Sequence, residues 1–280
     1  MPVTLPFAAT SGSRLLDRIQ EDIAKANDQR VSTELVMRYT CSPEEFHDIE
    51  DFLEESVCKR VFFDAAEHCL RFILMPTVVH GVCGAWLSGW ASQFPAKVKE
   101  HLRVQSETDV NELGIDGRSK KIPDTTVYVE RRVMPTIALE VGYSESYDDL
   151  INDATLLLEG SRGRVGIVIL IKLAPLTALQ QSVQSGFVEM HTYDKDTRKR
   201  VKFGSRMRLF PPTVKHNRQN ITLQWKAVLR EQRSKIDPPT ESPPPLKLDE
   251  LRRLIDQAAM QAYLGRTGET AQAEENADIF

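Results

Sequence analysis

The chain has 280 residues, 41% hydrophobic and 27% charged, with a formal net charge of −4 at pH 7. Those totals fit a globular chain large enough to bury a sizeable core and exclude a disordered one; no apolar run approaches the roughly 18–20 residues that span a bilayer. The slight acidic excess also excludes a global attraction to nucleic acid, so any such attraction must be local.

In chain order, Met1 to Ser13 has neither a basic start nor a long apolar stretch, so no signal peptide is expected. Leu15, Leu16, Ile19 and Ile23 then share one face of an amphipathic helix over Ser13 to Asn27. Ser42-Pro43-Glu44-Glu45 is a stronger start signal. A capping Ser precedes Pro at the first helical position, and Glu45 can reach back to the cap. That helix should run to about Glu55. Arg60 to Phe63 and Cys69 to Met75 read as strands joined by a polar turn, and Thr77 to about Gln93 as a largely apolar helix. In that helix Trp86 and Trp90, one turn apart, are core packing.

The centre is the most β-rich part. Thr125 to Val129 and Thr136 to Val141 are short strands, and a helix fits Tyr147 to Glu159 with Ser144 or Ser146 as its cap. Val165 to Leu173 is a near-continuous Ile/Val run, the pattern of a strand covered on both faces. Strand, helix and strand in that order imply a parallel crossover and hence a mixed sheet. Phe187 to Tyr193 and Arg200 to Leu209 then read as a hairpin.

Beyond Arg233 the Asp237-Pro238-Pro239 and Pro243-Pro244-Pro245 runs read as a stiff linker that cannot join a sheet. Leu248 to Leu264 reads as an amphipathic helix. The expected class is therefore α/β, a mixed central sheet flanked by helices. The expected organisation is an N-terminal helical arm (1–41), the α/β domain (42–233), a Pro-rich linker (234–246), an amphipathic helix (247–265) and a disordered acidic tail (266–280). Cys41, Cys58, Cys69 and Cys83 form no C-x-x-C pair, which disfavours structural zinc and fits reduced thiols in a cytoplasmic or nuclear setting.

Asp124 and Glu140 each stand at one end of a predicted strand in a consecutive pair. Paired as an antiparallel hairpin, the strands would bring the two carboxylates close enough to share a magnesium or manganese ion, which prefers oxygen ligands. Such an ion activates a bound water and stabilises charge on a phosphate. The other reading of the same residues is a turn residue after Pro123 and a solvated or salt-bridged strand residue.

Pro123-Asp124-Thr125-Thr126-Val127, followed by Pro135-Thr136-Ile137-Ala138-Leu139-Glu140-Val141-Gly142-Tyr143-Ser144, resembles the core of PD-(D/E)XK nuclease-like proteins, in particular the Uma2-like branch and related fungal proteins. Leu74 to His80 resembles the segment that opens their first core helix. The resemblance covers roughly Arg60 to Pro212. It implies a restriction-endonuclease-like core in which Asp124, Glu140 and the backbone of Val141 bind the metal. The sequence departs from that pattern where a catalytic lysine is expected. The position two residues after the glutamate is Gly142, and the alternative position on the following helix is Asp153. Lys172, at the end of the next strand, is the candidate substitute; its other reading is a lysine snorkelling from a buried strand.

Between Tyr193 and Asn220 lie nine Lys/Arg against two Asp, with Phe203 and Phe210 interleaved. Arg198, Lys199, Arg200, Lys202, Arg206 and Arg208 of that hairpin, together with Lys120 and Lys121 just before Asp124, are candidates for contact with a nucleic-acid backbone. A charge-protected edge strand is the rival reading. Two functions follow: a divalent-metal-dependent nuclease with Asp124, Glu140 and Lys172 as its catalytic set, or a non-catalytic nuclease-like scaffold that binds nucleic acid or a protein partner, its C-terminal helix a docking or self-association element.

Overall fold

The structure is a computed structural model that describes residues 12–28, 34–56, 59–74, 77–177 and 180–267. Its helices are α1 (Gly12–Asp28), α2 (Pro43–Glu55), α3 (Val78–Ser92), α4 (Ala96–Lys99), α5 (Tyr147–Thr155), α6 (Trp225–Leu229), α7 (Arg233–Ile236) and α8 (Leu248–Thr267). The strands of the first half are β1 (Leu35–Thr40), β2 (Lys59–Asp64), β3 (Cys69–Leu74), β4 (Leu102–Ser106), β5 (Val110–Leu113) and β6 (Ser119–Lys121). Those of the second half are β7 (Thr125–Val129), β8 (Ile137–Gly142), β9 (Ile167–Leu173), β10 (Gly186–Asp194), β11 (Lys199–Phe210), β12 (Asn220–Ile221) and β13 (Leu246–Lys247).

A six-stranded sheet runs β11-β10-β9-β8-β7-β4 and is antiparallel throughout except for β8 and β9, which lie parallel across the α5 crossover. This is the mixed central sheet that the strand–helix–strand order predicts. Its odd-numbered β8 and β9 residues, Ile137, Leu139 and Val141 with Ile167, Ile169 and Ile171, pack with Trp86 and Trp90 of α3 and Leu251 and Ile255 of α8. The even-numbered set, Ala138, Val168 and Leu170, packs under Leu150 and Ala154 of α5. Burial on both faces explains the continuous apolar run, and each fully buried Leu or Ile contributes about 1.5–3 kcal/mol.

A second, wholly antiparallel sheet runs β1-β3-β2-β6-β5. Nothing in the order of residues marks it as a separate layer. Residues 35–40, expected to belong to an N-terminal helical arm, are its edge strand β1, with Val36, Met37 and Tyr39 buried. Helix α1 is no arm either: Leu15 and Ile19 are fully buried in a cluster with Tyr39, Phe46 of α2, Phe63 and Phe72. The capping box of α2 forms as read, with Ser42 and Glu45 each accepting the other's backbone N–H.

The C-terminal segment packs on the core of the central sheet. Trp90 Nε1 donates to the Pro244 carbonyl and Trp86 Nε1 to the Lys247 carbonyl, 2.6 and 3.0 Å away. Leu246, buried, opens β13, which pairs with β12, so the last residue of the expected linker joins a sheet while its two Pro runs lie outside any strand. Proline removes only its own N–H; its carbonyl still accepts, and that is the group the indole uses. The expected acidic tail lies outside the described residues from residue 268 onward.

Candidate functional site

The β7–β8 ladder pairs Thr125 with Leu139, so the next step along it sets Asp124 opposite Glu140 at the end of both strands. The predicted antiparallel hairpin forms, and its register sets the two residues on neighbouring strands. What surrounds them is a layer of cations from the other sheet. Across that sheet Arg38 pairs with Arg71, Arg71 with Phe62, and Phe62 with Lys121, which puts three cations and one ring in a single cross-strand row. Arg71 lies over the Phe62 ring, 4.5 Å from its centre. Like charges in adjacent pairs destabilise a sheet unless something opposite compensates.

The compensation comes from the central sheet and its helix. Asp149 and Asp153, one turn apart on α5, share a helix face and turn it toward this row. Arg71 donates to Asp153 and to Asp149, the latter at 3.1 Å, and pairs with Glu145 at 3.1 Å. Arg38 donates to Asp149. Lys121 lies 3.1 Å from Asp153 and 3.3 Å from Glu140. Arg60 donates to Asp124. The other Asp124 oxygen, Oδ2, accepts the Val141 N–H at 2.6 Å. His80 of α3 completes the set, with Nδ1 3.2 Å from Asp124 and Nε2 2.7 Å from Glu34, though that second approach is out of line for a hydrogen bond.

Burial dominates the electrostatics. It pushes Glu140 up to about 8; Lys121 opposes the rise, while Asp153 and Glu145 reinforce it. It likewise pushes Glu145 up to about 7, against Arg71 and with Asp153. Burial, helped by Arg60, also holds His80 below the usual histidine range, which favours the neutral ring. For Glu34 burial acts upward too, but His80, the Ser144 N–H and Arg60 outweigh it and hold this carboxyl low. Among the buried groups, six carboxylates (Glu34, Asp124, Glu140, Glu145, Asp149, Asp153) face four cations (Arg38, Arg60, Arg71, Lys121). Burial, reinforced by the neighbouring carboxylates, is the physical reason that Glu140 and Glu145 hold protons near neutrality.

Among the described residues no group of three or more His, Cys, Asp or Glu side chains is arranged to hold a metal ion. The donor set explains this: both Asp124 oxygens and Glu140 Oε2 already accept from protein groups. Glu140 Oε1 is buried without a partner, and one oxygen does not make a shared site. As folded, the residues do not fit the divalent ion that the resemblance implies.

The remaining candidates divide. A lysine at position 142 would require Leu150 to shift, because a Cβ there would lie 2.7 Å from Leu150 Cδ1. Lys172 is on the face that carries Glu140, in the next row, but its ammonium donates to the carbonyls of Gly142, Tyr143 and Leu173 and makes no ion pair among the described residues. Lys120 and Lys121, read as nucleic-acid contacts, are buried; Lys120 is held by Glu50, Glu54 and Asp109 and Lys121 by the centre. A sequence run does not say which sheet face a lysine takes, and β6 is so short that both neighbours are covered. Arg198, Lys199, Lys202, Arg206 and Arg208 are exposed on the hairpin, while Arg200 is half-buried against Thr155 and His191.

The sequence reading missed Glu34, Arg38, Arg60, Arg71, Glu145 and Asp149. A signal existed for two of them. Arg71 sits inside the apolar strand Cys69–Leu74, and a cation there needs an internal partner. Asp149 stands four residues before Asp153 beside Leu150 and Ala154, which are buried. No family model matches the chain, and no curated protein or solved structure matches it. No helix among the described residues is long and apolar enough to cross a membrane.

Proposed function

We propose that this chain is a non-catalytic scaffold of the nuclease-like type that binds nucleic acid through its outer hairpin. One observation carries the reading: the oxygens that would hold a metal are taken by Arg60, Val141 and Lys121, inside a centre where Asp124 is 4% and Glu140 2% exposed. A phosphodiester cannot reach groups so covered, and the cations that would steady its charge are spent on carboxylates. The hairpin offers the opposite. Six exposed cations line its turn and the edge strand β11, beside the exposed Phe203 ring, and Lys195, Arg198 and Arg208 among them form no ion pair among the described residues.

Metal-dependent hydrolysis is the second reading, favoured by the excess of two negative charges and by the unpartnered Glu140 Oε1. It requires Arg60 and Lys121 to leave their carboxylates for a magnesium or manganese ion to enter. Calorimetry with magnesium and manganese, on the wild type and on Asp124→Ala with Glu140→Ala, followed by nuclease and oligonucleotide-binding assays on the same samples, separates the two. The scaffold reading expects no metal heat, no cleavage, and oligonucleotide binding that falls when Arg198 and Lys199 become Glu. Metal-dependent cleavage lost in the double variant would overturn it.

A further inference from the structure

The central sheet carries a second row built like the buried one. Gly142 pairs with Lys172, Lys172 with Phe187, and Phe187 with Arg208, so a lysine and an arginine flank a phenylalanine across neighbouring strands. Arg206 lies over the Phe187 ring at 3.8 Å, as Arg71 lies over Phe62. In the buried row every cation faces carboxylates. Here the acid in direct contact is Glu189, fully buried, which Lys202 and Arg206 approach at 3.0 and 3.1 Å. Burial works against ionisation of Glu189, but bonds from Tyr147, Arg206 and Lys202 hold it down to about 2, so its charge is already committed.

Lys172 is a half-buried cation whose ammonium donates to three carbonyls and forms no ion pair among the described residues; burial lowers its pKa against the pull of Glu145, Glu34 and Asp149. Arg208 makes no ion pair or side-chain hydrogen bond among the described residues. Lys172, Arg206 and Arg208 converge with Phe187 and Phe210 on a cleft of about 800 Å³ whose lining includes no Asp or Glu. That volume suits a nucleotide-sized ligand. A cation partly withdrawn from water with no carboxylate in contact is costly, and an anion entering from outside reduces the cost.

We infer that this cleft is a binding site for a phosphate group, held between Lys172 and Arg208 beside Arg206. The phosphate belongs to a nucleic-acid strand or to a free nucleoside phosphate. The site deepens the nucleic-acid reading but does not depend on it, since a free phosphate ester satisfies the same groups.

The test titrates the full chain with inorganic pyrophosphate, with a terminally phosphorylated oligothymidylate and with the same strand lacking that phosphate. Arg208→Glu and Lys172→Met should each weaken pyrophosphate binding by about tenfold or more, the loss of one charge-assisted contact, while the exposed Lys99→Glu changes nothing. Arg208→Glu lies at the surface and keeps the test decisive if Lys172→Met fails to fold. Equal loss on both strands assigns the site to backbone phosphates; loss confined to the phosphorylated strand and pyrophosphate assigns it to phosphate ends or free nucleotides. The inference is overturned if the wild type binds no probe, or if both folded variants bind as it does. Oligonucleotide binding that is lost in Arg198→Glu with Lys199→Glu, while Arg208→Glu keeps both strand and pyrophosphate binding, overturns the cleft and leaves the scaffold reading intact. Pyrophosphate binding lost in Arg208→Glu, with no strand binding at all, does the reverse.

Discussion

Two rows of Lys and Arg around a phenylalanine differ in one respect, and it decides what each can do. The row of Arg38, Arg71, Phe62 and Lys121 is roofed by Glu140, Glu145, Asp149 and Asp153 of the opposing layer. The row of Lys172, Phe187 and Arg208 opens to a cleft with no acid in its lining. A roofed row holds two sheets together, because every cation is desolvated and matched. An open row keeps its charge for something outside the chain. Basic residues are therefore a poor guide to nucleic acid until it is known which acids they face.

The comparison breaks most easily at Asp153. Asp153→Ala leaves Arg71 and Lys121 short of a buried partner, and stability should fall by about 3–5 kcal/mol in denaturant unfolding. A loss below about 1 kcal/mol would mean that water enters and the roof is not dry. Next comes Gly142→Ala. The added methyl meets Leu150 and pushes α5, with its two aspartates, off the row; overpacking of this kind costs about 1–3 kcal/mol, readable as a lower Tm.

A pH series gives a subtler test. Glu140 and Glu145 have folded pKa values, about 8 and about 7, above the ordinary carboxyl value. The folded state then binds more protons than the unfolded one, so their contribution is fully present below pH about 4.5 and is lost as pH rises through about 7 to 8. Stability should therefore decline from pH about 5 to about 8, and Glu140→Gln should flatten the decline. A wild-type profile that rises across that range would show the pair to be ionised and matched. The smallest effect belongs to the open row: Arg208→Ala should move stability by no more than about 0.5 kcal/mol, since its charge has no partner to lose.

Most elements were legible because their signals are local. The capping box at Ser42, the Ile/Val run of β9 and the turn at residues 194–199 each fall within a few residues. The second sheet was not, because β1, β5 and β6 are short and gain their meaning from partners tens of residues away. Asp124 and Glu140 were found as a pair, and their opposition in the ladder followed from the hairpin. Their surroundings could not be read. Arg60, Arg71 and Lys121 approach from another sheet, and nothing in the order of residues says that a lysine three places before Asp124 points at Glu140 and not at solvent.

The two indole N–H groups that donate to Pro244 and Lys247 have a consequence for synthesis. Leu246, Leu251, Ile255 and Ala258 complete the same core as Trp86 and Trp90, which emerge from the ribosome more than 150 residues earlier. That side of the central sheet stays open to water until residues 246–259 clear the exit tunnel. A nascent chain arrested before them should show the fluorescence of solvated tryptophan, and for that interval it depends on whatever in the cell shields exposed apolar surface.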